Sequence, residues 1–99
     1  MKINLDAVIL NLDNVPMTRE SAPDSPPATL GWVIRSAVIA QNQDSDPASQ
    51  LKCFDLAIIT TKGGEQDITP EQATLAKERI ARVFGNPVIT GRCTELLNG

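Results

Sequence analysis

The chain holds few residues that could catalyse a reaction. Its 99 residues include no histidine, so the commonest general base and the usual partner of a serine or cysteine nucleophile are absent. The only cysteines, Cys53 and Cys93, cannot form a structural zinc site by themselves. We therefore expect no metal site and no cofactor.

Carboxylates are the remaining candidates for acid–base chemistry. The candidates are Asp13, Asp55, Asp67 and Glu71. Asp55 is of most interest, because it lies between two apolar residues in the most apolar segment of the chain. If it is enclosed it needs a cation, for which Arg35 or Arg92 is available, but a solvated carboxylate at the edge of a helix is the favoured interpretation. The sequence thus favours a protein that is not an enzyme.

Other short patterns have structural explanations. Gly63-Gly64 lacks the Lys-Ser or Lys-Thr of a phosphate-binding loop, and glycines are common at helix ends. Asp44-Ser45-Asp46 lacks the glycine and the final glutamate of an EF-hand, so Asp46 is better interpreted as a helix N-cap. Cys53 and Cys93 fall in helical patterns and are expected in the core, with a disulfide between them as an alternative.

Charge and composition narrow the class of partner. The net charge is −3, so the chain has no electrostatic attraction for nucleic acid. Aromatic residues do not interleave with Arg79, Arg82 and Arg92, since the single aromatic residue among them, Phe84, belongs to the predicted buried face; this favours a solvated helix face over a nucleic-acid platform. Met1-Lys2 is followed by alternation and not by the apolar region of a signal peptide, and no apolar run would span a membrane, so we expect a cytoplasmic protein without membrane contact.

The N-terminal part predicts a β-hairpin. Residues 2–12 alternate at first and then become continuously apolar, which indicates a strand. Asp13-Asn14 would form a two-residue turn, and residues 15–17 would return as an edge strand because Pro16 cannot donate a hydrogen bond. Residues 18–28 hold several prolines and predict an exposed linker, with a binding loop as the alternative.

Four helices are predicted over residues 29–97. Thr29 would cap the first helix, Asp46 the second, Thr69 the third and Asn86 the last. Thr69 and Gln72 have the spacing of a capping box. The predicted fold is therefore α+β and mainly α, with an N-terminal β-hairpin packed on a bundle of about four helices, all in a single domain over residues 1–99.

The helical spacing also predicts which sides are buried. The core side of the first helix comprises Leu30, Val33, Ile34, Ala37 and Val38. In the second helix Leu51, Phe54 and Ile58 are predicted to form one core face, widened by further apolar residues, so that this helix is central and covered on several sides. In the third helix Lys77, Glu78, Arg79 and Arg82 are predicted to face water.

A second apolar stripe on the first helix is the candidate functional surface. Trp32, the only tryptophan, and Ile39 lie seven residues apart and off the core side. With Arg35 and Ser36 they form the predicted partner-binding residues, because an exposed tryptophan often marks a protein interface. The alternative is that the hairpin or the proline-rich segment covers them.

The chain resembles small uncharacterised proteins of tailed phages and prophages. The resemblance is carried by Met1–Leu5, Leu12–Met17 (where relatives often have Asp-Gly), Thr29–Gly31, Leu51–Ile59, Asp67–Gln72 and Val88–Leu97, whereas the proline-rich residues 21–27 depart from it. It implies a phage origin more than any activity, so the expected cytoplasm is that of a host cell, and it supplies no catalytic residues to carry over.

Two functions are consistent with these features. One is a factor that binds a host protein complex and inhibits or modulates it, an anti-CRISPR-like inhibitor of host defence being one concrete form. The alternative is an accessory protein of virion assembly or DNA packaging that acts through contacts with phage proteins or with its own copies. Both predict a protein partner and no direct contact with nucleic acid.

Overall fold

The computed structural model describes residues 2–19, 24–40 and 46–98, which form four helices and one short antiparallel sheet. The elements are β1 (Lys2–Asn4), α1 (Leu30–Ile39), α2 (Pro47–Thr60), β2 (Glu65–Asp67), α3 (Pro70–Phe84) and α4 (Pro87–Leu97). The fold is thus α+β and mainly α, which confirms the predicted class. Within the described ranges, no helix has the length and apolar content needed to cross a membrane.

The N-terminal hairpin is present as an irregular ladder. The amide of Met17 donates to Ile9 O at 2.8 Å, and the amide of Asn11 donates to Val15 O at 2.9 Å. Between Asn11 and Val15 the turn contains three residues, one more than predicted, and Asn14 adopts a φ of 61°. Asparagine tolerates this left-handed conformation, which a three-residue hairpin loop requires at one position.

The regular strand at the N-terminus is shorter than predicted and has a distant partner. β1 ends at Asn4 instead of continuing to residue 12, and it pairs antiparallel with β2, with Ile3 opposite Gln66. The side chain of Asn4 accepts from the amide of Asp6 at 3.0 Å, which turns the chain out of the strand. β2 has the sequence EQD, without apolar alternation, so no pattern in the sequence predicted it.

Backbone pairing continues into the proline-rich segment. The amide of Ala28 donates to Met17 O at 2.7 Å, and the amide of Arg19 donates to Pro26 O at 3.0 Å. Ala28 is 4% exposed and belongs to the core. Residues 20–23 of this segment lie outside the described part of the chain. The described ends of the predicted linker are thus hydrogen-bonded to each other beside the hairpin.

The predicted helix caps are confirmed. Thr29 Oγ1 accepts from the amide of Trp32 at 3.2 Å, and Asp46 Oδ1 accepts from that of Ala48 at 3.3 Å. The Thr69–Gln72 capping box has both of its hydrogen bonds, at 2.9 and 3.1 Å. Asn86 caps α4 in the same way. Each cap satisfies an amide that has no partner within its helix.

The core is centred on α1. Its predicted core residues Leu30, Val33, Ile34, Ala37 and Val38 are all buried. α1 packs against α2 on one side and α3 on another, and α3 packs against α4. Gly31 lies under the hairpin: a Cβ there would lie 3.1 Å from Leu5 O, and its amide donates to the same oxygen at 2.9 Å. A glycine therefore allows the N-terminal chain to lie directly on α1.

The structure corrects one prediction for α3 and supports another for the cysteines. Arg79, predicted to face water, is 3% exposed. Ala76 and Ile80 of the same helix are also buried, and the long aliphatic part of an arginine side chain can be packed among apolar residues. Cys53 and Cys93 are buried and free, as expected for small core residues, so they form no disulfide.

Candidate protein-interaction surface

Three large apolar side chains are exposed along one side of α2. Leu51 is 66% exposed, Phe54 60% and Ile58 45%. They are three and four residues apart, a spacing that places them on the same side of a helix. We call these three residues the α2 stripe. Contiguous exposed apolar side chains of this kind are typical of protein-binding surfaces.

The α2 stripe is the surface that the sequence predicted to be core, so that prediction was wrong. The buried residues of α2 are instead Cys53, Leu56 and Thr60, which lie on the opposite side of the helix. α2 is apolar on two opposite sides, and α1 covers only one of them. α3 contacts α2 less extensively than α1 does. The helix is therefore peripheral, not covered on several sides.

Charged residues border the α2 stripe. Asp55 is exposed, as the favoured interpretation of the sequence held. Lys52 lies towards α3, where its Nζ donates to Glu71 Oε1 at 2.9 Å. This hydrogen bond and the negative charge of Glu71 raise the pKa of Lys52. With Ser49, these residues line a cleft of about 500 Å³ between α2 and α3.

Trp32 and Ile39, the predicted apolar stripe of α1, lie in different surroundings. Trp32 is half-buried: its ring centroid is 5.9 Å from that of Phe84, and the guanidinium carbon of Arg19 lies 5.8 Å from the centroid of its ring. The first contact is a tilted aromatic pair and the second has cation–π geometry. Ile39, in contrast, is 61% exposed. The segment that carries Arg19 thus covers part of Trp32 but leaves Ile39 open.

Arg35 and Ser36 have structural surroundings of their own. Arg35 Nε donates to Thr60 Oγ1 at 3.2 Å, and an Nη donates to Thr60 O at 3.4 Å. This carbonyl lies in the last turn of α2, where the carbonyl groups have no partner within the helix. Arg35 therefore caps α2 from α1, while Ser36 is half-buried. The four predicted partner-binding residues do not form one continuous exposed patch.

The cysteines and carboxylates considered for chemistry can be placed in the structure. Within the described residues, no three His, Cys, Asp or Glu side chains lie close enough together to hold a metal ion. Burial raises the pKa of the Cys93 thiol to about 12. A neutral, buried thiol is a poor nucleophile, so Cys93 is suited to packing.

The apolar pattern that marks the α2 stripe was present in the sequence, but it was interpreted as a sign of burial and not of exposure. Apolar residues on two opposite sides of one helix mean that one side is exposed unless two partners are available. Comparisons with known proteins add no further guide: no protein-family model matches the chain, and no similar protein was found among curated proteins or solved structures.

Proposed function

We propose that this protein acts by binding another protein through the α2 stripe. The observation that carries the proposal is the exposure of Leu51, Phe54 and Ile58 on one side of a helix whose other side is packed into the core. An aromatic residue flanked by two aliphatic ones is a composition common at the centre of protein interfaces. Ile39 on α1 is a second exposed apolar residue available to a partner.

The concrete form of this function that we propose is a phage factor that occupies a surface of a host complex and inhibits or modulates it. Its support is the small size of the chain, the absence of histidine and the resemblance described above. An accessory role in virion assembly or DNA packaging is the second candidate. The exposed α2 stripe would serve this role as well, with a phage protein or another copy of the chain as the partner.

Affinity capture from host lysate tests whether the α2 stripe binds protein. We expect wild-type protein to retain a host protein that Phe54→Ser does not, because interface aromatics contribute a large share of binding energy. Leu12→Ser is the matched control, since Leu12 is 78% exposed but lies in the hairpin turn. Equal recovery with wild type and Phe54→Ser would exclude the α2 stripe as the binding surface.

The same experiment separates the α2 stripe from the α1 surface that the sequence predicted. If α1 supplies the contact, Ile39→Ser should abolish capture while Phe54→Ser leaves it unchanged. Genes next to the coding sequence separate the two functions: morphogenesis genes favour the accessory role, and early or accessory genes favour the inhibitor.

A further inference from the structure

We propose that a small polar cavity beside the N-terminal end of α1 binds hydrogen phosphate. In this site Arg19 and Arg35 donate to the oxygens of the ion, and Asp6 accepts a hydrogen bond from its hydroxyl group. All three side chains line the cavity, which has a volume of about 150 Å³. The cavity includes no residue of the α2 stripe, so this inference goes beyond the proposed function and does not depend on it.

Four separate parts of the chain form the cavity. Arg35 comes from α1, Asp6 from the turn after β1, Arg19 from the segment that follows the hairpin, and Gly63 from the loop after α2. The three charged side chains are exposed, so an ion can reach them from solvent. Pockets for drug-sized ligands have volumes of roughly 300–1,000 Å³. This cavity is smaller and suits an ion of the size of phosphate.

The two arginines place like charges around one small cavity. Within the described part of the chain, the cations that form ion pairs with carboxylates are Lys2, Lys52 and Arg92, and neither Arg19 nor Arg35 does so. Two guanidinium groups on the same cavity repel each other, and an anion between them replaces that repulsion with two attractions. Guanidinium groups are also the donors whose planar shape best matches the oxygens of phosphate.

Contacts with the protein hold both guanidinium groups in position. Arg19 Nε donates to Pro27 O at 3.2 Å, and the guanidinium carbon lies 5.8 Å from the centroid of the Trp32 ring. Arg35 donates to Thr60 through Nε and through one Nη nitrogen. In both arginines these bonds leave further N–H groups of the fork for an anion. Donors that are already held in place lose little freedom when the ion binds.

Asp6 determines which oxyanion the cavity prefers. Its Oδ2 accepts from the amide of Gly64 at 3.1 Å, which holds the carboxylate at the cavity. A carboxylate repels an oxyanion that has no proton to donate, such as sulfate, but it accepts a hydrogen bond from the hydroxyl group of hydrogen phosphate. Two cationic donors and one acceptor therefore select an oxyanion that carries a proton. Phosphate carries one at neutral pH, whereas sulfate and acetate do not.

The fluorescence of Trp32 tests binding, because this residue is the only tryptophan and lines the cavity. Titration with potassium phosphate at neutral pH and constant ionic strength should give a saturable change. We expect a dissociation constant of about 1 mM, the order that suits a small ion at a partly exposed site. Potassium sulfate should bind at least about fivefold more weakly, since it cannot donate to Asp6.

Phosphorus NMR measures the same equilibrium without relying on tryptophan emission. The phosphate resonance should broaden as wild-type protein is added. Arg19→Gln should weaken binding about tenfold, because it removes one of the two cationic donors. Arg82→Gln is the matched control: it removes the same charge from an exposed arginine that does not line the cavity. Equal weakening in both variants would show an unspecific effect of net charge and overturn the site.

Asp6→Asn tests the choice of ligand. Asparagine keeps an oxygen that can accept from the Gly64 amide, and its NH₂ group can donate to an anion. Sulfate should therefore bind to Asp6→Asn at least about fivefold more tightly than to wild type, and nearly as tightly as phosphate. Equal affinity of wild-type protein for the two ions would overturn the selection of hydrogen phosphate by Asp6.

Two further results keep the site separate from the α2 stripe. Phe54→Ser should bind phosphate with the wild-type affinity, whatever its effect on capture of a partner protein. Failure of both fluorescence and phosphorus NMR to detect binding up to about 50 mM phosphate would overturn the site. That result would leave the α2 stripe as a binding surface unaffected.

Discussion

α1 and α2 are neighbouring helices that each have apolar residues on two sides, yet only α1 has contacts on its second side, at Trp32. α1 packs on α2 and α3, and on its second side Trp32 lies against Phe84 and Arg19. α2 packs mainly on α1, and the α2 stripe remains exposed. Apolar stripes in the sequence thus indicate how much of a helix surface is apolar. Which of these stripes is buried depends on the neighbouring helices and segments that pack against the helix.

The largest expected effect comes from two leucines in α2. Leu56 is 0% exposed and Leu51 is 66% exposed, although they are the same residue type on the same helix. Leu56→Ala should lower the free energy of unfolding by about 2–5 kcal/mol, because it leaves a cavity in the core. Leu51→Ala should change it by no more than about 0.5 kcal/mol. Urea denaturation followed by circular dichroism measures both values.

Which of the two leucine variants loses more stability shows which side of α2 is packed in the core. The sequence-based prediction gives the opposite order, since it placed Leu51 in the core and expected α2 to be covered on several sides. Comparable losses for both variants would indicate that α2 is covered on both sides, and would remove the basis for the α2 stripe as a binding surface.

Local signals in the sequence were sufficient for the helix starts and for the fold class. Caps and first-turn prolines act over three or four residues, so Thr69 and Gln72 could be paired without knowledge of the fold. The choice between the two sides of α2 depends on α1 and α3, which lie far away in sequence. The pairing of β1 with β2 is likewise long-range, and no local pattern predicts it.

The next effect compares the two apolar residues of the predicted α1 stripe. Trp32→Ala should lower the free energy of unfolding by about 2 kcal/mol, because it removes the contacts with Phe84 and Arg19. Ile39→Ala should cost less than about 0.5 kcal/mol, since Ile39 is 61% exposed. Chemical denaturation of both variants measures the difference. Equal costs would mean that the segment carrying Arg19 does not hold Trp32 in solution.

A smaller effect on the free energy of unfolding is expected at the contact that joins α1 to the end of α2. Arg35→Gln removes the guanidinium that donates to Thr60 at the end of α2, at an expected cost of about 1 kcal/mol. Arg35→Lys should recover only part of this, because an ammonium group lacks the fork that reaches both oxygens. Hydrogen exchange of the last-turn amides of α2 should quicken in Arg35→Gln. Unchanged exchange would show that Arg35 does not cap α2.

The sequence could predict that the candidate site is an apolar helix surface, but not which residues form it. Residue spacing identified the apolar residues of both helices, but it could not show that Arg19 covers Trp32, since that contact depends on the path of the proline-rich segment. Nor could it show that Arg35 serves α2, because the spacing of charges in α1 contains no information about a carbonyl 25 residues away. Both contacts join residues that are distant in sequence, so local spacing could not predict them.

The smallest effect concerns the ion pair beside the α2 stripe. The pKa of Lys52 is raised by its hydrogen bond to Glu71 and by the charge of that residue. A lysine whose pKa is higher in the folded state stabilises the fold below its unfolded pKa and loses that contribution as the pH rises through the folded value. Wild type should therefore be slightly more stable than Lys52→Gln near pH 7, and the difference should decline as the pH rises above about 10.4 and through the raised pKa of the folded state. Because both side chains are exposed, about 1 M salt should also reduce the difference in stability.

Lys62→Gln, which leaves this ion pair intact, is the control. Urea titrations across this pH range measure the stability of all three proteins. A difference that persists at high pH would show that Lys52 acts through packing of its aliphatic stem against α3 and not through its charge.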